Sequence, residues 1–149
     1  MGAARRLVAL FWIALFAVGP SLIAQAPRLL TDATKPTESE HTKGPHGLEG
    51  WTLNWPVPGS NYGDQRFAFT LVLARNGHLI HRVQGDPIVW NWMFWSDGRQ
   101  VAYETGPFHF SMSCVLIDTK SGRRVDTIDC WQELHVDAPD WAKALEKQQ

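Results

Sequence analysis

From Trp51 onward apolar side chains recur mostly with a period of two, the spacing of a half-buried strand. Trp51-Thr52-Leu53-Asn54-Trp55 alternates in this way and predicts a strand, ended by Pro56, Pro58, Gly59, Asn61 and Gly63. Three hairpins follow. Phe67 to Ala74 runs into Arg75-Asn76-Gly77-His78 and returns over Leu79 to Val83. Asn-Gly is the strongest short hairpin signal, because both turn residues must accept φ > 0. Ile88 to Trp95 turns at Ser96-Asp97-Gly98-Arg99 and returns over Gln100 to Glu104. Phe108 to Ile117 turns through Asp118-Thr119-Lys120-Ser121-Gly122 and returns over Arg123 to Ile128. Each turn glycine (77, 98, 122) precedes a branched aliphatic (Ile80, Val101, Val125), a weak repeat of one hairpin per 20-odd residues.

The last segment changes period. Asp137-Ala138-Pro139-Asp140-Trp141 predicts a helix start, with Asp137 as cap and Pro139 in the first turn. Trp141, Ala144 and Leu145 then share one helical face, which places Trp141 as the staple between helix and sheet. The pattern predicts an all-β fold, mainly an antiparallel meander of about six to seven strands, with a short C-terminal helix covering one face.

Upstream, Met1 to Ala26 reads as a secretory signal peptide. Arg5 and Arg6 form its basic start, and Leu7 to Val18 its apolar run. A 12-residue helix rises about 18 Å, against about 30 Å for a bilayer core. Pro27 hinders cleavage after Ala26, so the cut is placed after Ala24, with an uncleaved anchor as the alternative. No cysteine lies nearby, which argues against a lipid anchor. The domain reading is therefore 1–24 signal peptide, 25–47 flexible lead-in rich in Thr, Pro, Glu and Lys, and 48–149 a single β domain. No stable membrane span is expected after signal removal, and the destination is periplasmic or secreted.

Composition then narrows the function. The whole chain carries 14 Lys+Arg, 15 Asp+Glu and 8 Trp in 149 residues. Without residues 1–24, which hold Arg5, Arg6 and Trp12, the net charge is −3 and 7 Trp remain in 125 residues. A weakly acidic domain has no electrostatic footprint for nucleic acid. The tryptophan enrichment belongs to the folded part.

Ile88-Val89-Trp90-Asn91-Trp92-Met93-Phe94-Trp95-Ser96-Asp97-Gly98-Arg99-Gln100-Val101-Ala102-Tyr103 resembles a blade of the TolB-like, WD-type β-propeller repeat. In that family an apolar strand ending in Trp/Phe-Ser-Pro-Asp-Gly-Arg/Lys turns into x-[Ile/Val]-Ala-[Tyr/Phe]. Here the turn core Ser-Asp-Gly-Arg is kept and its proline is lost. Cys114 to Arg123 resembles the next hairpin, of the type Leu-x-Asp-x-x-x-Gly. The resemblance spans about residues 88–128 and implies a propeller-blade-like meander serving as an interaction scaffold. A blade takes about 40–45 residues and a propeller 4–8 blades, so this chain cannot close one alone. A stand-alone sheet is favoured over self-association of several copies.

Candidate sites follow from these elements. On a regular strand Trp90, Trp92 and Phe94 share one side, where the tryptophans could stack sugar rings or simply fill a core between sheet and helix. Trp51, Trp55 and Trp131 are equally open to either reading. His109, in a loop between hairpins, is the histidine best placed for function. His78 and His81, three apart, should face opposite ways and so not share a metal, and no H-E-x-x-H or C-x-x-C occurs. Asp97, Asp118 and Asp137 sit where their oxygens serve turns or caps. No nucleophile elbow or phosphate-binding loop is present, and nothing calls for a metal or another cofactor.

Cys114 and Cys130 are expected to form a disulfide. If Asp118 opposes Arg123 across the last turn, Cys114 faces Thr127, and Cys130 lies three residues, about 10 Å, further along. The bond then needs a bulge or a bend after Ile128. The functional expectation is an exported, non-catalytic binding or interaction module with a protein or glycan partner, whose ligand residues are Trp90, Trp92 and His109. The alternative is a carbohydrate-binding module using exposed tryptophans. A more distant rival is an enzyme built on His109 and His135.

Overall fold

The computed structural model describes residues 35–57, 65–108, 111–131, 134 and 136–148. The signal segment, His109 and His135 lie outside the described residues. Nine strands and one helix follow in chain order: β1 Thr37–Glu38, β2 Thr42–Lys43, β3 Leu48–Pro56, β4 Arg66–Arg75, β5 His78–Gln84, β6 Ile88–Trp95, β7 Gln100–Gly106, β8 Ser113–Asp118, β9 Arg124–Asp129 and α1 Asp140–Glu146. They form two antiparallel sheets. One has the order β1-β3-β4-β5, with β2 also on β3, and the other is the meander β6-β7-β8-β9. The fold is all-β with one short C-terminal helix, as the pattern predicts, and the sheets do not close into a barrel.

The turns follow their sequences. Asn76 and Gly77 take φ 50° and 78° between β4 and β5, the positive values that an Asn-Gly turn supplies. Ser96, Asp97 and Gly98 all have positive φ between β6 and β7. In the β8–β9 turn Asp118 Oδ1 accepts from the backbone N–H of Lys120 and Ser121 and from Ser121 Oγ. Those bonds hold the Asp118 carboxyl below its usual value.

Sheet β6–β9 is covered twice. Leu71 and Leu73 of β4 pack on Val89, Val101, Tyr103, Val115 and Ile117 to form the core between the sheets. On the other side Met93, Ala102, Cys114 and Leu116 meet Trp141, Ala142 and Leu145 of α1. Double coverage explains why Val101–Gly106 and Cys114–Ile117 are buried without alternation. Burial also pushes the Tyr103 phenol above its ordinary range, with Arg124 pulling the other way.

Four ladders contain one extra residue each. The pairing skips Phe69 in β4, Ile80 in β5, Trp90 in β6 and Val125 in β9. Every such bulge reverses which face the next residues take. At Val125 the consequence is covalent. Ile117 still pairs with Arg124, but Cys114 now pairs with Ile128 rather than Thr127. Cys130 is then two residues past its partner position instead of three, on the same face, and the Cys114–Cys130 disulfide spans a Cα–Cα distance of 5.7 Å. The expected bulge exists, but before Ile128 and not after it.

Three other expectations change. Residues 37–47, read as part of a flexible lead-in, are fastened to β3 through β1 and β2. His41 stacks on Trp51 at 4.1 Å with the rings 7° from parallel, and its nitrogens lie 3.2 Å from the Glu38 and Glu49 carboxylates. The β8 strand begins at Ser113, not near Phe108. The helix begins at Asp140, with Pro139 at its cap; the Pro139 carbonyl accepts from Ala142 and Lys143, and Asp137 does not cap it. Trp141 does staple the helix, its Nε1 donating to Asp126 Oδ2 at 3.2 Å. Among the described residues no helix is long and apolar enough to cross a membrane.

Candidate functional site

The bulge at Trp90 decides the arrangement of the aromatic strand. Val89 pairs with Thr105 and Asn91 with Glu104, leaving Trp90 without a ladder partner. The register beyond it puts Trp92 opposite Tyr103, on the face between the sheets, where both Trp92 and Phe94 pack against the core. The Trp92 ring lies over Gly50 of β3 so closely that a Cβ there would collide with it. Trp90 and Trp92 therefore do not form a regular alternating row, because Trp90 is the extra residue between Val89 and Asn91, although both rings border one hollow. Met93 and Trp95 turn to the helix side.

Trp90 is 40% exposed. Its ring is nevertheless fixed, because Nε1 donates to the Gly106 carbonyl at 2.9 Å and Phe108 packs edge-on at 5.2 Å. Phe108 in turn meets Phe67 edge-on at 4.6 Å. The next residue has a different task. Asn91 Nδ2 donates to the Leu145 carbonyl at the end of α1, and its Oδ1 accepts from the Trp92 N–H. Asn91 so joins the edge of the sheet to the helix.

Two hollows meet at these residues. One, of about 440 Å³, runs along the outer edge of β6 and is bordered by Ser39, Glu40, Thr42 and Thr52. The other, of about 360 Å³, contains Glu104 and Met112. Trp90, Asn91 and Gln148 line both. Glu104 is 7% exposed and pairs across the sheet with Asn91 on one side and Cys114 on the other, on the helix face. Glu40 and Glu104 supply carboxylates, and among the described residues no Lys, Arg or His lines either hollow.

The remaining candidates lie elsewhere. Trp131 is 46% exposed beyond β9, while Trp51 and Trp55 are partly buried in β3. The Trp51 indole N–H is buried and has no hydrogen-bond partner among the described residues. His78 pairs with Arg75 and His81 with Leu73, positions on one face of β4, so the bulge at Ile80 overturns the expectation that these histidines face apart. His81 Nε2 lies 2.9 Å from the Thr119 carbonyl, tying β5 to the β8–β9 turn. His46 and Asp97 meet at 2.8 Å on the surface and connect the turn before β3 to the β6–β7 turn. Among the described residues no group of three His, Cys, Asp or Glu side chains could hold a metal ion.

Trp90 and Trp92, both expected from the sequence, border the first hollow, whereas Asn91, Glu104, Met112 and Gln148 were not expected there. Asn91 carried a signal, as the one polar residue inside Ile88–Trp95. Glu104, at the end of an apolar return strand, carried another. Gln148 carried none, since only the folded helix brings it to β6. No family model, curated protein or solved structure matches this chain.

Proposed function

We propose that the chain is an exported, non-catalytic binding module whose ligand lies in the groove around Trp90. The observation carrying this reading is the bulge in β6, which removes Trp90 from the ladder and stands its fixed ring where two hollows meet. Bulges beside binding sites re-aim side chains in this way. Hollows of about 300–1,000 Å³ with a few placed polar groups are the usual size for ligand sites. A half-exposed aromatic held by a hydrogen bond loses little freedom when a ligand covers it.

Export is supported by the Cys114–Cys130 disulfide, since such bonds persist in oxidising compartments, and by the basic, then apolar, start of the chain. The likeness of residues 88–128 to propeller hairpins, which mostly build interaction scaffolds, points the same way.

The test is a titration of ¹⁵N-labelled protein with neutral oligosaccharides, acidic oligosaccharides and basic peptides. The signals to follow are the Trp90 indole N–H and the side-chain amides of Asn91 and Gln148. At least one class should shift all three together. If none does, or if shifts gather at Trp131 instead, the groove is not the binding surface.

A further inference from the structure

We propose that the ligand of this groove is a neutral oligosaccharide lying across Trp90, with at least one sugar ring in each hollow. The inference rests on the reading of the groove as a binding site and adds the chemistry of its occupant.

A sugar ring offers a patch of C–H groups on one face and hydroxyls around its rim. It is held best by an exposed aromatic face bordered by side chains that both donate and accept hydrogen bonds. Trp90 supplies the aromatic surface, immobilised by the Gly106 carbonyl and Phe108. Asn91 and Gln148 stand beside it in both hollows, Thr42 and Glu40 border the first, and Glu104 borders the second. Two hollows that share Trp90, Asn91 and Gln148 suit a chain of sugars better than a single one.

Charge narrows the class. Among the described residues Glu40 borders the first hollow and no cationic side chain lines either one, so a uronic-acid or sulfated glycan would meet repulsion there. An extended peptide is the other occupant that an edge groove suggests. Strand addition needs a regular row of free backbone groups. On β6 the ladder is broken at Trp90, and the Trp92 N–H is already taken by Asn91. The backbone of β6 is thereby closed to a regular added strand, while its side chains remain open. Trp92 also borders the first hollow, with its ring lying against Gly50, so the exposed stacking surface is that of Trp90.

Isothermal titration of the full chain with cellohexaose, chitohexaose and mannohexaose, with hexagalacturonate and trilysine as contrasts, tests this. At least one neutral hexamer should bind, its dimer should bind roughly tenfold more weakly, and hexagalacturonate should not bind. Trp90→Ala should weaken the neutral hexamer by roughly tenfold or more. Gln148→Ala, at an exposed position beyond α1 where the fold is not at stake, should weaken it severalfold. Binding that is indifferent to both variants overturns the proposal. If only trilysine or hexagalacturonate binds, and does so through Trp90, the sugar assignment falls while the groove stands. If no probe disturbs Trp90, both readings fall.

Discussion

Cys130 reaches Cys114 diagonally, from two residues beyond the Ile128 that pairs with Cys114 across the β8–β9 ladder. The bond lies on the helix side of the sheet, in the cluster that also holds Trp141 and Leu145. It therefore closes the last hairpin and braces the floor on which α1 sits.

Removing the bond should cost the stability of a 16-residue closed loop, about 3 kcal/mol in the chain-entropy account. Cys114→Ser/Cys130→Ser is expected to unfold at clearly lower urea than the oxidised protein, and reductant should lower the native midpoint similarly. Equal midpoints with and without reductant would show that the bond carries no load.

Deleting Val125 separates the register from the bulge that sets it. Without the extra residue the ladder becomes regular, yet Leu116 still faces Asp126 and Cys114 still faces Ile128, two positions from Cys130. The deletion variant should therefore emerge from air oxidation fully bonded, with no mass increase after iodoacetamide. Two alkylatable thiols would show that the bulge itself, and not the register it leaves, places the pair.

Gly50→Ala should destabilise the inter-sheet contact by about 1–3 kcal/mol, the usual range for overpacking. The added methyl runs into the Trp92 ring. Combining it with Trp92→Leu should recover part of the loss, so a double-mutant cycle by urea unfolding ought to return strong coupling. Additive effects would mean that the two residues do not meet.

Asp118 gives a pH dependence of known sign. Its carboxyl is held below the ordinary 3.8 chiefly by hydrogen bonds from Ser121, so the folded state favours the charged form. That contribution is present above the unfolded value and fades as pH falls through the lower folded one. Asp118→Asn keeps an acceptor oxygen but cannot titrate. Its stability should vary less than wild type between neutral pH and the acid limb, compared by thermal unfolding. Parallel curves would remove Asp118 from the acid response.

Much of the fold could be read from residues one at a time. Asn76-Gly77 and Ser96-Asp97-Gly98 specify their turns locally, and the helix reveals itself through Trp141 and Leu145. The extra residues could not be read. Ile80, Trp90 and Val125 are β-prone side chains like their neighbours, and nothing local distinguishes a paired Ile from an inserted one. Each miss about direction traces to one of them: Trp90 beside Trp92, His78 beside His81, and Cys114 opposite Thr127. The division into two sheets was hidden too, because it depends on Leu71 and Leu73 meeting Val101 and Val115 from distant hairpins. Half of the candidate site, Trp90 and Asn91, lies in one strand. Glu104 and Gln148 join it only through pairing and the docking of α1.

The inserted residues have one more effect. Among the described strands, β5, β6 and β9 end the two sheets, and each of the three carries its own insertion. The remaining border is made of β1 and β2, two residues apiece. A second copy laid along any of these margins would lose step within a few residues, so growth into ribbons or fibrils by strand addition has no straight template from which to start.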